Sequence, residues 1–260
     1  MHCNQCSNSV EAGDIFCETC GQKIDWSQNT PSPCNQCGYA IETGDAFCEN
    51  CGKSQALVNS QAHMPLVFLL DTSTATSSYI SQLNNDLNSF KGLVCGDAQA
   101  KNILDVAVIQ FNDSFYVSQD FAPIEQMPPL RLISGGQAQY STPTREAIRM
   151  AETYSRVKAN TYKPWIVLVS GSEPSDNIAT VSNELQSVQN AEKLRFIALG
   201  AGSYNASALK QLTDIVFRLD GTDFSSFFSW VSRCIGAIAR SSPDTKPQLP
   251  QLQGNVYRDI

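Results

Sequence analysis

The sequence predicts an α/β protein: a doubly wound, mainly parallel sheet preceded by two small cysteine-bound modules. Three observations predict it. Eight of the ten cysteines fall into one pattern written twice in the first 52 residues. Two uninterrupted apolar runs, residues 66–70 and 165–169, have the composition of strands buried on both faces. Strand-like and helix-like segments alternate around them, which implies crossover connections with helices on both faces of the sheet.

The cysteines come first. Cys3-x2-Cys6 is followed after ten residues by Cys17-x2-Cys20, and Cys34-x2-Cys37 after ten residues by Cys48-x2-Cys51. The copies are offset by 31 residues, and 12 of the 19 positions in residues 3–21 recur in residues 34–52. Segments this short bury too little apolar surface to fold unaided. Each Cys-x2-Cys turn aims two thiolates at one point, and two turns complete a tetrahedral Zn²⁺ site with no open position. Such an ion is structural, and the expectation is two zinc ions per chain. Gly21, Gly38 and Gly52 follow the second cysteine in three of the four turns, where a positive φ suits glycine. Gly13-Asp14 and Gly44-Asp45 predict reversals between short strands. Phe16 and Phe47, each before a third ligand, are expected to supply apolar support. A disulfide framework is the competing reading. The chain opens Met-His-Cys with no apolar leader, so a reducing, cytoplasmic setting and zinc thiolates are favoured. The paired knuckles resemble a tandem, or double, zinc ribbon. Cys95 and Cys234 lie outside the pattern and fit small core residues.

Charge narrows the partners. Net charge is −7. Residues 1–54 hold two basic and seven acidic side chains, hence −5 before any metal. Nucleic-acid binding rests on Lys and Arg neutralising phosphates, so a nucleic-acid-reading ribbon ranks low, although it stays an alternative. No apolar run approaches the roughly 20 residues that span a bilayer, so no membrane partner is expected.

The boundaries follow from texture: ribbons at 1–24 and 32–54, a linker at 55–63, the sheet domain at 64–240, and a flexible Pro/Gln/Ser-rich tail at 241–260. Within the sheet domain, 66–70 is a strand. Ile80, Leu83, Leu87 and Phe90 then recur at helical spacing. Residues 103–111 are β-rich, and 114–117 pairs back across Asn112-Asp113. Prolines and glycines make 123–141 mostly loop, and 144–157 is a helix. Strand 165–169 follows, then a helix near 176–190, strand 194–199, a short helix from Ala206 and strand 215–219. Phe224, Phe227, Phe228, Val231, Ile235 and Ile238 mark a last amphipathic helix.

Ligands of open parallel sheets bind beyond the carboxyl ends of the strands. There the first strand breaks into Asp71-Thr72-Ser73-Thr74-Ala75, and 165–169 breaks into Ser170-Gly171-Ser172-Glu173-Pro174. Tyr140-Ser141-Thr142-Pro143 precedes a helix. Over about residues 64–240 these segments resemble the von Willebrand factor A family. That family's metal-ion-dependent adhesion site begins Asp-x-Ser-x-Ser after the first strand. It adds a Thr from a middle loop and an Asp after a later central strand. "VFLLDTS" at 67–73 matches the opening, and "VLVSGSEPSD" at 167–176 is similar to the segment carrying the later Asp. Within the family the chain is most similar to bacterial tellurite-resistance-associated proteins, whose cytosolic A domains are thought to act with kinases and phosphatases.

Carried over, Asp71, Ser73 and Thr142 match metal-site positions, whereas Ala75 and Gly171 stand where the family has Ser and Asp. Mg²⁺ wants octahedral oxygen with carboxylate help, so these residues form a poor cage unless Glu173, Asp176 or a partner's carboxylate substitutes. Without a metal, Asp71 is expected to accept backbone N–H bonds, and Thr142 to cap its helix with Pro143 at the first position. No phosphate loop, nucleophile elbow or dinucleotide fingerprint occurs, and both histidines, His2 and His63, fall outside the expected sheet domain. The expected function is therefore a non-enzymatic, intracellular protein-interaction adaptor. The alternatives are a divalent-metal-dependent ligand-binding A domain with a non-standard site, and a nucleic-acid-binding ribbon protein.

Overall fold

The computed structural model describes residues 17–21, 32–34, 36–41, 47–52, 62–158, 160–243 and 245–259. The chain divides into two compact units, residues 1–60 and 61–260.

In the first unit a short antiparallel pair, β1 (Ser32–Pro33) and β2 (Ala40–Ile41), lies beside the cysteine turns. Three knuckles close in the same way. Gly21 N donates to Cys17 O at 2.8 Å, Gly38 N to Cys34 O at 2.7 Å, and Gly52 N to Cys48 O at 2.8 Å. The three glycines sit at φ +71°, +72° and +71°, where a side chain would be strained. The apolar centre among the described residues of the second ribbon is Cys34, Ile41 and Cys48. Phe47 is 61% exposed, so the expected support from this side chain is absent. Ile41 takes that place, because β2 turns it inward beside the two buried sulfurs. Cys3, Cys6, Phe16 and the two Gly-Asp reversals lie outside the described residues.

The second unit is a seven-stranded sheet with helices on both faces. Its elements are β3 (Met64–Asp71), α1 (Ile80–Cys95), α2 (Ala98–Ile103), β4 (Leu104–Phe111), β5 (Phe115–Pro123), α3 (Ser141–Val157), β6 (Trp165–Ser170), α4 (Ala179–Asn190), β7 (Arg195–Gly200), α5 (Ala206–Leu212), β8 (Val216–Leu219), α6 (Ser225–Ala239) and β9 (Val256–Arg258). Strand order is β5-β4-β3-β6-β7-β8-β9. The five inner strands are parallel, and the edge strands β5 and β9 are antiparallel to their neighbours.

All eight residues of β3 are buried. Alternate side chains serve the two faces: Leu66, Phe68 and Leu70 join α1, α2 and α6, whereas Val67 and Leu69 join α3, α4 and α5. On the first face the Phe68 ring meets Phe90 of α1 edge-on at 5.2 Å and Phe228 of α6 at 5.8 Å. Asp86, buried on α1, accepts from Phe224 N at 2.9 Å and so caps the start of α6. Cys234 is fully buried in this layer, and Cys95 is half-buried at the end of α1.

Two boundaries differ from the sequence expectation. His63 falls in the expected linker, yet its N–H donates to Asn160 O at 3.1 Å and its carbonyl accepts from Tyr162 N at 2.8 Å. The domain therefore begins before Met64. The segment expected as a flexible tail is part of the domain. β9 pairs with β8 in the register Phe217↔Arg258 and Leu219↔Val256. Trp230 Nε1 donates to Pro250 O at 2.8 Å, and Leu249 and Leu252 pack on the core. The physical reason is that β8 and α6 otherwise present an unpaired edge and an apolar flank. Truncation after residue 240 is expected to cost roughly 3–5 kcal/mol, from one buried Val and two partly buried Leu. That lowers the melting temperature by on the order of 10 °C. Thermal unfolding of the shortened chain measures it, and an unchanged transition would restore the tail reading.

Candidate functional site

Strand order reverses between β3 and β6, so their carboxyl ends open a crevice at the switch point. Asp71 ends β3 and Ser170 ends β6, on neighbouring strands paired Leu70↔Val169. Asp71 is fully buried. Its Oδ1 accepts from Ser73 N at 2.8 Å. Its Oδ2 accepts from Ser170 Oγ at 2.9 Å, Gly171 N at 3.1 Å and Ser172 Oγ at 2.6 Å. Four protein donors thus solvate one carboxylate, as a buried charge requires.

Two tyrosines close the floor. The Tyr140 hydroxyl donates to Ser172 O at 2.8 Å and lies against Ser170 Oγ, whose own proton goes to Asp71. The Tyr79 hydroxyl is buried with no hydrogen-bond partner among the described residues. It fills the space at Gly171: a Cβ built there would lie 1.7 Å from the Tyr79 oxygen and 3.3 Å from Ala201 O. Burial, and then the Asp71 carboxylate, push both phenols above their ordinary range, so both stay protonated.

The surrounding loops are laced together by backbone bonds. Gly135 N donates to Thr72 O at 2.8 Å, and Thr74 N donates to Gly136 O at 3.0 Å. Gly136 has φ +72°, and a Cβ there would meet the Asp113 carboxylate at 2.1 Å. Asp176 accepts from Tyr140 N at 2.7 Å and Ser141 N at 2.9 Å. It therefore caps α3 at its positive dipole end and is not aimed at Asp71. α3 starts at Ser141, before Thr142, so Thr142 is not the cap. Glu173 is exposed and accepts from Asn205 Nδ2 at 3.2 Å.

Of the three carried-over positions, Asp71 and Ser73 lie together, and the Ser73 hydroxyl is buried without a hydrogen-bond partner. Thr142 is exposed on the first turn of α3, and no hydrogen bond joins it to Asp71 or Ser73 among the described residues. The Tyr140 hydroxyl reaches into the floor from two positions earlier. Neither tyrosine stood out in the sequence. Their only local signal is a large aromatic residue just before a helix, facing a loop of small residues.

The second cysteine cluster has metal geometry. The sulfurs of Cys34, Cys37, Cys48 and Cys51 all lie within 4.8 Å of one another. Cys34–Cys51 and Cys37–Cys48 are each 3.6 Å apart. A disulfide needs about 2.05 Å. A tetrahedron with Zn–S bonds of about 2.3 Å has sulfur edges of about 3.8 Å. The donor set therefore fits Zn²⁺. A hydrogen bond from the Asn50 side chain, with the Tyr39 backbone next, lowers the Cys37 thiol to about 6. That favours the thiolate a metal requires.

Comparison with known proteins agrees with both parts. The double zinc ribbon family model matches residues 3–52. No curated protein matches the chain in sequence. Among solved structures, proximal thread matrix protein 1 of the mussel byssus superposes with TM-score 0.52 at 16% identity, covering 67% of this chain and 48% of that one. That mussel protein also has a structure with a zinc-occupied MIDAS motif, similar at TM-score 0.51 and 16% identity over 76% of this chain and 49% of that one. A von Willebrand factor type A protein from Catenulispora acidiphila gives 0.51 at 13% identity, covering 68% and 43%. The pilus adhesin SpaC of Lactobacillus rhamnosus GG, in its open conformation, gives 0.56 at 9% identity, covering 69% and 30%. The chain thus spans about half or less of each neighbour's length. The sheet unit has the fold of a von Willebrand factor A domain, and residues 3–52 carry the sequence of a double zinc ribbon.

Proposed function

We propose that the chain is a non-enzymatic protein-binding adaptor of the cell interior, with an A-type domain that engages its partner without a cation. The saturation of Asp71 by four protein donors carries this reading. A divalent ion there would displace donors that the fold already supplies. Ala75 and Gly171 offer no side-chain oxygen, and Tyr79 fills the space an aspartate at 171 would need. Mg²⁺ therefore does not fit the residues present. What remains at the strand ends is a rim of small and hydroxyl side chains, with Thr74, Ala75, Ser77, Ser78 and Thr142 exposed. Such a rim suits close approach by a partner's backbone. Two structural zinc ions hold the acidic ribbons, whose thiolates suit a reducing compartment. Partners of kinase or phosphatase type are in keeping with the family resemblance.

The test is partner capture by the full chain in buffer with Mg²⁺ and in buffer freed of it. It is repeated with Ala75→Trp/Thr142→Trp, two exposed positions. Equal capture of the same protein in both buffers, lost in the double variant, is the expected result. The second reading is a non-standard cation site, favoured by the unpartnered Ser73 hydroxyl beside Asp71. Capture that needs Mg²⁺ would establish it in place of the first. Capture indifferent to the double substitution would remove the strand-end face.

A further inference from the structure

The opposite end of the sheet holds a cavity of about 380 Å³. It lies at the first residues of β6 and β7, beneath the segment that follows α6. Trp165 and Arg195 are register partners there, and the Arg195 guanidinium stacks over the indole at 5.3 Å. The arginine is half-buried, and its side chain has no carboxylate or carbonyl partner among the described residues. Burial depresses its basicity, as expected of a cation without a counter-charge. The other walls set the aliphatic side chains of Leu194, Ile215, Ile238 and Leu249 beside Tyr162, Gln189 and Thr245.

Among the described residues the mouth carries Lys163 and Lys246 against Glu192, on a chain of net charge −7. Glu192 gathers Lys163 at 3.3 Å and Lys246 at 2.7 Å. It does so from φ +54°, a left-handed position usually left to glycine. That position closes α4: Lys193 N donates to Val188 O at 3.0 Å and Glu192 N to Gln189 O at 2.9 Å, so the helix end fixes where the Glu192 side chain leaves the backbone. The covering segment is tied at both ends, by Tyr162 OH to Ser241 O and Trp230 Nε1 to Pro250 O, each at 2.8 Å.

We propose that this cavity binds an aliphatic carboxylate, with its head paired to Arg195 and its chain along the aliphatic walls. Arginine offers a planar fork matched to a carboxylate, and ligand pockets of this size pair apolar walls with few polar groups. The indole face is already covered by the guanidinium, so the apolar surface left for a ligand body is mainly that of Leu194, Ile215, Ile238 and Leu249. The site is at the far end of the strands from Asp71 and is independent of the adaptor reading.

Decanoate is titrated into the full chain and followed by tryptophan fluorescence and calorimetry, beside decanol and acetate. Decanoate is expected to bind at least tenfold more tightly than either. Arg195→Gln is expected to lose at least tenfold in decanoate affinity with no fall in melting temperature. Lys246→Glu, at an exposed position, is expected to weaken binding severalfold and keeps the test decisive should the arginine variant fail to fold. Equal binding of decanol and decanoate, wild-type affinity in both variants, or no decanoate binding at millimolar concentration would overturn the site.

Discussion

Cys48→Ser is expected to unfold the second ribbon and leave the thermal transition of the sheet domain where it was. The apolar centre of this ribbon among the described residues is Cys34, Ile41 and Cys48, and two of those three are themselves ligands. So little buried area does not offset the chain entropy of ordering the module. Zinc binding in comparable peptides supplies about 10–16 kcal/mol, which is folding free energy when no preformed site exists. The sheet domain draws on a separate core, so the loss stays local. Metal analysis is expected to give about two zinc per chain, about one in Cys48→Ser, and none in a truncation starting at residue 60, at one ion per four thiolates. Acid is expected to release the metal, because protons compete for thiolates. The Asn50 side chain already holds the metal-free Cys37 thiol near 6, and bound zinc keeps it a thiolate to lower pH still, so release is expected below that value. Loss of both unfolding transitions together in Cys48→Ser would show that the two units are not independent.

How much was legible depended on whether the signal was local. The metal ligands are fixed by spacing within one short segment, so sequence suffices for them. β3 and β6 were legible because strands covered on both faces must be apolar at every position. α2 was missed although Asp97 carries a cap signal, accepting from Gln99 N and Ala100 N. Its six residues are too few to show a helical period. β9 was missed because Val-Tyr-Arg acquires its meaning only from the open edge of β8. The Tyr79 hydroxyl at Gly171 joins residues about a hundred positions apart, and nothing near either one announces the other. The same holds for Arg195 over Trp165, a pair made by strand register. Gly171 itself was visible as a departure from the family motif. What fills its space was not.

Asp71→Ala is expected to destabilise the sheet domain by roughly 3–5 kcal/mol, at about 1–3 kcal/mol for each buried donor left unpaired. The domain's melting temperature should fall by on the order of 10 °C. The loss comes from the donors left behind, since Ser73 N, Gly171 N and the hydroxyls of Ser170 and Ser172 all point at one carboxylate. Asp71→Asn keeps the shape and the Oδ1 acceptor but turns an amide against three donors, so a smaller loss is expected. A cation-binding Asp71 predicts a different pattern. Mg²⁺ would then raise the wild-type melting temperature by mass action, by about 2.7 kcal/mol of added stability at a hundred times its dissociation constant. It would leave Asp71→Ala unmoved, and the alanine variant would cost little in metal-free buffer, where the ligand has nothing to hold. The expected result is the reverse: no Mg²⁺-dependent shift in either protein, and the full destabilisation in metal-free buffer. Gly171→Asp separates the two once more. A carboxylate added to a working cation site would strengthen it, whereas here its Cβ meets the Tyr79 oxygen at 1.7 Å. Overpacking of this kind costs about 1–3 kcal/mol or more, so a fall in melting temperature that Mg²⁺ does not reverse is expected.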